Sequence, residues 1–300
     1  MGSKLGLTDS QALPTVTKLA DQAETTSHRL VSIGAGEFAG DRVICGRSQQ
    51  TLLPSWPELD SLVVSLGPFY TCAWCALERS TTVSAPVSAD PSITHQLLTF
   101  LRSAGVVAPA GQDSLSTKRS LYEPVSWAYQ KDWALPSDLY AALSLMLSAW
   151  DPALAPEEKL WVWRQLADRE AAAYLTSLLR RHRIGTRLVD EILNCQDDEW
   201  AQLSLGRKRY VIWSSMKGAA SHYLSTGGSE DATLQVLARE MRKRARWLHQ
   251  REAVGALSRS DFSFLPDVTW RRPLMIDVAL SSVLRIGDDY WLAPPSPVSQ

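Results

Sequence analysis

The stretch from Leu234 to Gln250 reads LQVLAREMRKRARWLHQ and predicts an amphipathic helix. At about 100° per residue, one side of such a helix collects an apolar stripe. The stripe consists of Leu234, Leu237, Met241, Ala245 and Leu248. The other side carries cations at positions i, i+3, i+4 and i+7, namely Arg239, Arg242, Lys243 and Arg246. The pattern therefore predicts a basic helix that docks on a larger body through its apolar stripe.

The cations of this helix favour an anionic partner. Like charges three or four residues apart destabilise a helix, and Glu240 is the acid that interrupts the run. Nucleic-acid phosphates would relieve the repulsion, so we expect this face to contact them. A solvated helix face is the plainer alternative. A membrane-surface helix is a third, disfavoured because the apolar side has little aromatic content beyond Trp247.

The charge of the whole chain hides this local excess. The 300 residues carry a formal net charge of −1, yet residues 201–251 contain ten Lys or Arg against three Asp or Glu, a local +7. Such asymmetry is typical of an anion-facing surface. Further candidate contacts are Arg207, Lys208, Arg209, Arg180, Arg181 and Arg183. The last three end a predicted helix, where the helix dipole also favours cations.

Hydrophobic periodicity predicts a mainly α protein with a small irregular/β, zinc-knuckle-like N-terminal module. The predicted parts are a flexible arm (1–27), a Cys-containing irregular/β module (28–104), a linker (105–120) and a helical domain (121–300). The β-like runs of the module include Leu62 to Ser65. The helical domain contains the basic helix and ends in a predicted hairpin around Gly287-Asp288.

Two further helices have recognisable ends. Ser137 is a predicted N-cap for a helix that ends near Trp150. Pro156, followed by two glutamates, is typical of a first helical turn. This second helix is expected to run to Arg183, with Gly185 ending it.

The chain lacks the marks of a membrane or secreted protein. No apolar stretch reaches the roughly 18 residues of a membrane span, and residues 1–15 contain no signal-peptide core. We therefore expect a cytoplasmic protein without a membrane partner. Four cysteines in such a chain are not a disulfide framework and indicate metal ligands, buried thiols or both.

A zinc site is one expectation for the cysteines. Cys72-Ala-Trp-Cys75 follows Gly67-Pro68, and a turn there would bring both sulfurs to one metal. Cys45-Gly46 is a similar step, since glycine permits the turn. The expected ligands of a structural zinc ion are Cys45, Cys72, Cys75 and Cys195, with His28 and His95 as alternatives for the fourth position. Plain buried cysteines are the alternative interpretation.

Enzyme motifs are missing from the sequence. It contains no nucleophile elbow, Walker loop, zincin or kinase motif. Gly34, Gly36 and Gly40 have the wrong spacing for a dinucleotide fingerprint. Candidate metal-binding acids are Asp197, Asp198, Glu199 and Glu158. An acidic surface loop and first-turn capping explain these residues equally well, so we expect a protein that is not an enzyme.

Several motifs together resemble a known family. Cys45-Gly46, then Pro68-Phe69-Tyr70, then Cys72 to Cys75 and a basic helical body, are similar to the large-subunit-type, zinc-knuckle protein of type IV CRISPR effector complexes. The motif-level likeness extends from Cys45 to Cys75.

The resemblance implies a non-catalytic subunit of an RNA-guided complex in antiviral defence. Such a subunit would bind guide RNA, target DNA at the duplex motif beside the target, and other subunits of the complex. Two alternatives are a stand-alone zinc-knuckle DNA-binding protein of a mobile element and a metal-dependent nucleic-acid enzyme.

Overall fold

Helices make up most of the chain in the computed structural model of the protein, and the prediction of a mainly α fold is confirmed. The structure describes residues 57–110, 117–130, 136, 138–150, 154, 156–187, 189–194, 196–265 and 271–295. The predicted arm (1–27) and residues 28–56 of the predicted Cys-containing module lie outside the described residues. From Trp56 to Gln300 the chain forms one compact unit.

Helix α1, Pro57–Arg79, occupies a stretch for which the sequence predicted irregular or β structure. Gly67 has a φ of 72° and kinks the helix, and Pro68 lies inside it instead of ending it. Buried side chains recur at helical spacing before the kink, at Leu59, Val63 and Leu66. The β prediction for residues 62–65 is wrong because a short apolar run fits a strand and a buried helix equally well.

Helix α2, Pro91–Ser103, also falls within the predicted irregular module. It begins at Asp90, whose carboxylate accepts a hydrogen bond from the backbone N–H of Ser92 at 2.9 Å. Proline at the first helical position costs nothing there, since its missing N–H would have no partner inside the helix. Residues 57–104 are therefore mainly helical, and the irregular/β prediction is wrong for this described part.

Two strands of a three-stranded antiparallel sheet lie where the linker was predicted, and the third follows it. Strands β1 (Val107–Pro109) and β2 (Lys118–Arg119) both pair with β3 (Ser126–Tyr129), in the order β1-β3-β2. Ala108 lies opposite Ala128 in the register. The described parts of residues 105–120 thus belong to the folded unit and do not separate two domains.

The remaining helices form the body that carries the basic helix. Their bounds are α3 Leu139–Trp150, α4 Pro156–Arg181, α5 Val189–Asn194, α6 Asp198–Gln202, α7 Leu205–Ser225, α8 Glu230–Ala253 and α9 Leu274–Val278. Helix α7 packs between α4 and α8, while α1 packs on α3 and α9. The predicted helix ending at Trp150 is confirmed as α3.

Helix α4 starts at Pro156 as predicted but ends earlier than expected. Its last residue is Arg181, and the left-handed position after it belongs to Arg183, at φ 58°. The N–H of Ile184 then bonds back to the Leu179 carbonyl at 2.9 Å, as in a Schellman end. Gly185 is therefore not the residue that ends the helix.

The predicted C-terminal hairpin is replaced by helical turns. A π-helical turn (Ala279–Leu284) continues α9, and a 3-10 turn (Asp288–Trp291) follows. Val283 and Leu284 are buried, and Trp163 donates its indole N–H to the Tyr290 carbonyl at 3.4 Å. Packing against the helical body thus overrides the local β preference of this stretch. Among the described residues, no helix has the length and apolar character needed to cross a membrane.

Candidate nucleic-acid interface

Helix α8 has the amphipathic arrangement that the sequence predicts. The predicted stripe of Leu234, Leu237, Met241, Ala245 and Leu248 is buried along its whole length. Burying the leucine and methionine side chains contributes about 1.5–3 kcal/mol each, which fixes the rotation of the helix about its axis. The cations on the other side must consequently face solvent.

The exposed face of α8 carries all four predicted cations. Arg239, Arg242, Lys243 and Arg246 are exposed. Arg239 lies 4.0 Å from Glu240, a contact that is weak at this exposure. We call this set the α8 basic face.

Arg246 of the α8 basic face forms ion pairs with two of the candidate metal-binding acids. The guanidinium of Arg246 lies 3.1 Å from an Asp197 oxygen and 3.5 Å from a Glu199 oxygen. Both acids lie at the start of α6, so the ion pairs tie this short helix to α8. Arg242 and Lys243 lie at the centre of the α8 basic face.

A cleft of about 850 Å³ opens beside the same face. Arg239 and Arg242 line one side, and acidic groups line another part. The other polar lining residues are Glu191, His222, Asp231 and Gln235. Because both signs of charge meet in the cleft, it does not by itself select an anion.

The cluster Arg207-Lys208-Arg209 does not belong to the surface, and the prediction that it contacts phosphates is wrong for Arg207 and Lys208. Lys208 is fully buried, its ammonium 2.5 Å from an Asp168 oxygen and over the rings of Trp163 and Trp200. Burial lowers the pKa of this lysine, and Asp168 partly offsets the effect.

Arg207 is a structural group as well. Its guanidinium is 2.6 Å from a Glu252 oxygen and donates to the Ser258 carbonyl at 2.8 Å. Arg209 is half-buried, with its guanidinium 4.4 Å from the ring centroid of Tyr174. The three residues hold the fold together because the first turns of α7 are enclosed by α4, α8 and the following loop.

The third basic cluster lies at the end of α4. Arg181 and Arg183 are exposed, and Arg180 contacts the Asp90 carboxylate at 3.3 Å. Burial alone would raise the pKa of Asp90, but hydrogen bonds from Ser92 and the Arg180 guanidinium together lower it below its ordinary value. These arginines remain candidate phosphate contacts, outside α8.

Cys72 and Cys75 lie in α1, not in a turn. Both side chains are fully buried, and Cys75 Sγ is 3.3 Å from Ser144 Oγ. Burial raises the pKa of both thiols, that of Cys75 to about 12, so they are protonated at neutral pH. The prediction of a knuckle turn at these cysteines is therefore wrong, because both thiols belong to a helix.

No further zinc ligand joins Cys72 and Cys75 among the described residues. Cys45, Cys195 and His28 lie outside the described residues, and His95 is exposed on α2. Within the part of the chain that the structure describes, no three potential ligands come together.

The sequence did not predict two features of this region. One is a row of aromatic rings beside α8, contributed by Tyr210, Trp213, Trp247, Phe262 and Phe264. The pair Phe262 and Phe264, next to a basic helix, was the available signal. The other is the buried acid Glu170, whose position within the Ala-rich part of α4 gave no sign of its burial.

The chain was compared with protein-family models, curated proteins and solved structures. No protein-family model, no curated protein and no solved structure matches it. Function must therefore be argued from the site.

Proposed function

We propose that the protein binds nucleic acid through the α8 basic face, as a non-catalytic subunit of an RNA-guided DNA-targeting complex. The observation that carries the nucleic-acid part is the exposure of Arg239, Arg242 and Lys243 on a helix whose apolar side is fully docked. The membership in an RNA-guided complex rests on the sequence resemblance.

The α8 basic face suits the sugar-phosphate backbone. Phosphate contacts position a protein on nucleic acid without reading its sequence, and arginine and lysine supply most of them. The α8 basic face follows one side of the helix, along whose axis successive residues rise by about 1.5 Å. A single phosphate ion would use only part of such a row, whereas a polyanion can use all of it.

Charge reversal at the centre of the face tests this proposal. The double variant Arg242→Glu and Lys243→Glu should lose at least about tenfold in affinity for duplex DNA and for RNA. Because each lost phosphate contact lowers the salt slope of log K by about 1, the slope should fall by about 2. Fluorescence anisotropy at a series of salt concentrations measures both quantities.

A matched control separates the effect of the α8 basic face on binding from the effect of the net charge of the protein. Arg102 and Arg119 are exposed on α2 and β2, and the double variant Arg102→Glu and Arg119→Glu makes the same change of charge elsewhere. Equal losses in the two double variants, or no loss in either, would overturn the role of α8.

The second part of the proposal has its own measurement. A tagged chain recovered from its native cells should carry a short RNA and partner proteins, and the isolated chain should bind duplex DNA only weakly. Tight, sequence-specific duplex binding by the isolated chain, with no RNA recovered, would contradict the subunit proposal and favour a stand-alone DNA-binding protein.

A further inference from the structure

Five aromatic rings form a continuous row beside the α8 basic face. In order along the row they are Trp247, Phe262, Tyr210, Phe264 and Trp213, from α8, α7 and the loop that follows α8. Neighbouring ring centroids are 5.3, 5.0, 5.5 and 5.1 Å apart. We call this row the aromatic surface.

The aromatic surface is open to solvent, especially at one end. Trp247 is 41% exposed and Phe262 37% exposed, while the other three rings are half-buried. Two exposed rings in contact, backed by three half-buried ones, differ from the single exposed apolar residues common on proteins. Such a cluster is typical of a binding surface.

The loop that carries two of the rings is held in place by buried groups. Arg207 donates to the carbonyls of Ser258 and Asp261, and the N–H of Phe264 bonds to the Gly206 carbonyl at 3.0 Å. Phe262 has a φ of 55°, which is unfavourable for a bulky residue. The fold thus accepts a strained backbone that keeps this ring on the surface.

Cations border the aromatic surface at both ends. The ammonium of Lys217 is 3.5 Å from the ring centroid of Trp213, and the guanidinium of Arg251 is 5.7 Å from that of Trp247. Lys243 of the α8 basic face precedes Trp247 by one helical turn. Two acids lie close in sequence to these rings. Glu252 is paired with Arg207, and Asp261, next to Phe262, accepts a hydrogen bond from the Ser258 N–H at 2.8 Å.

We infer that the aromatic surface stacks the bases of a single-stranded nucleic acid. The inference rests on the proposed function and names its substrate as single-stranded RNA or DNA. Proteins that bind single strands combine aromatic rings under the bases with cations along the backbone, and both occur here within one turn of α8. A duplex offers no free base faces, so this surface would add affinity for single strands alone. The positive border favours a nucleic acid over a protein partner.

Binding of an intact and an abasic oligonucleotide tests the inference. The probes are a labelled oligothymidine and a labelled abasic strand of equal length, which share their phosphates and differ in their bases. Trp247→Ala should weaken binding of oligothymidine by about fivefold or more and leave the abasic strand unaffected. Trp247→Phe, which keeps a ring, should restore most of the lost affinity.

The controls keep this result separate from the proposed function. Trp161 is 45% exposed on α4, so Trp161→Ala removes an equally exposed indole elsewhere and should bind like the wild type. Unchanged affinity of Trp247→Ala for oligothymidine, or equal losses on both probes, would overturn the stacking role. If the double variant Arg242→Glu and Lys243→Glu still loses affinity in that case, the proposed function stands without the stacking.

Discussion

Replacing Glu170 by glutamine should change how the stability of the protein depends on pH. This glutamate of α4 is only 6% exposed, and its Oε1 has no hydrogen-bond partner among the described residues. Burial raises its pKa from 4.5 to about 7, although the nearby Arg209 guanidinium opposes the effect. In the folded protein, Glu170 therefore keeps its proton at pH values where the unfolded chain has lost it.

The magnitude and sign follow from proton linkage. A raised pKa means that the folded state binds more protons than the unfolded state between pH 4.5 and about 7. The stability that this group contributes is fully present below pH 4.5 and is lost as the pH rises through about 7. At about 1.4 kcal/mol per pH unit, the loss reaches at most about 3 kcal/mol.

Urea unfolding at several pH values measures the effect. Glutamine cannot ionise, so Glu170→Gln should match the wild type near pH 4.5 and exceed it by up to about 3 kcal/mol at about pH 8. Glu157→Gln removes the same charge from the exposed first turn of the same helix and serves as the control. Parallel stability curves for the wild type and Glu170→Gln would refute the buried-acid argument.

Three further changes test the packing around the site. Asp168→Ala should cost about 1.5–3 kcal/mol, because it removes a hydrogen bond to a charged group and leaves Lys208 buried without its partner. Lys208→Met should cost less, and chemical denaturation compares the two. Gly206→Ala should lower the melting temperature, because a Cβ there would lie 2.0 Å from Ser263 Oγ and 3.0 Å from a backbone carbonyl. Met241→Ala should cost about 2–5 kcal/mol by denaturation, since it empties a fully buried position of the α8 stripe.

Helix α8 was predictable because its apolar and basic residues alternate at helical spacing along its sequence. The stripe from Leu234 to Leu248 repeats at helical spacing over four turns, so the buried side and the exposed cations follow from periodicity. The start of α4 at Pro156 was predictable for a similar reason, since helix starts have a local signature.

The helices at residues 57–103 and the C-terminal turns were not predictable in this way. Residues 62–65 are too short a run to show a period, and Gly67-Pro68 looks like a breaker although the helix continues past it with a kink. The stretch around Val283 has β-branched character, and its contacts with α1 and α3 make it helical. Contacts between residues distant in sequence determine the structure of both stretches.

The three basic clusters separate most clearly what the sequence determined from what tertiary structure decided. The sequence determined that α8 has a cationic side, because its apolar residues leave no other way to dock the helix. It did not determine that Arg207 and Lys208 are buried, although Lys208 lies on the same helical stripe as Leu205 and Ile212. Packing decided that, since a lysine stem buries well where Asp168 and two indoles receive its charge. The aromatic surface likewise exists only in three dimensions, because α7, α8 and the loop at Phe262 meet through contacts between residues distant in sequence.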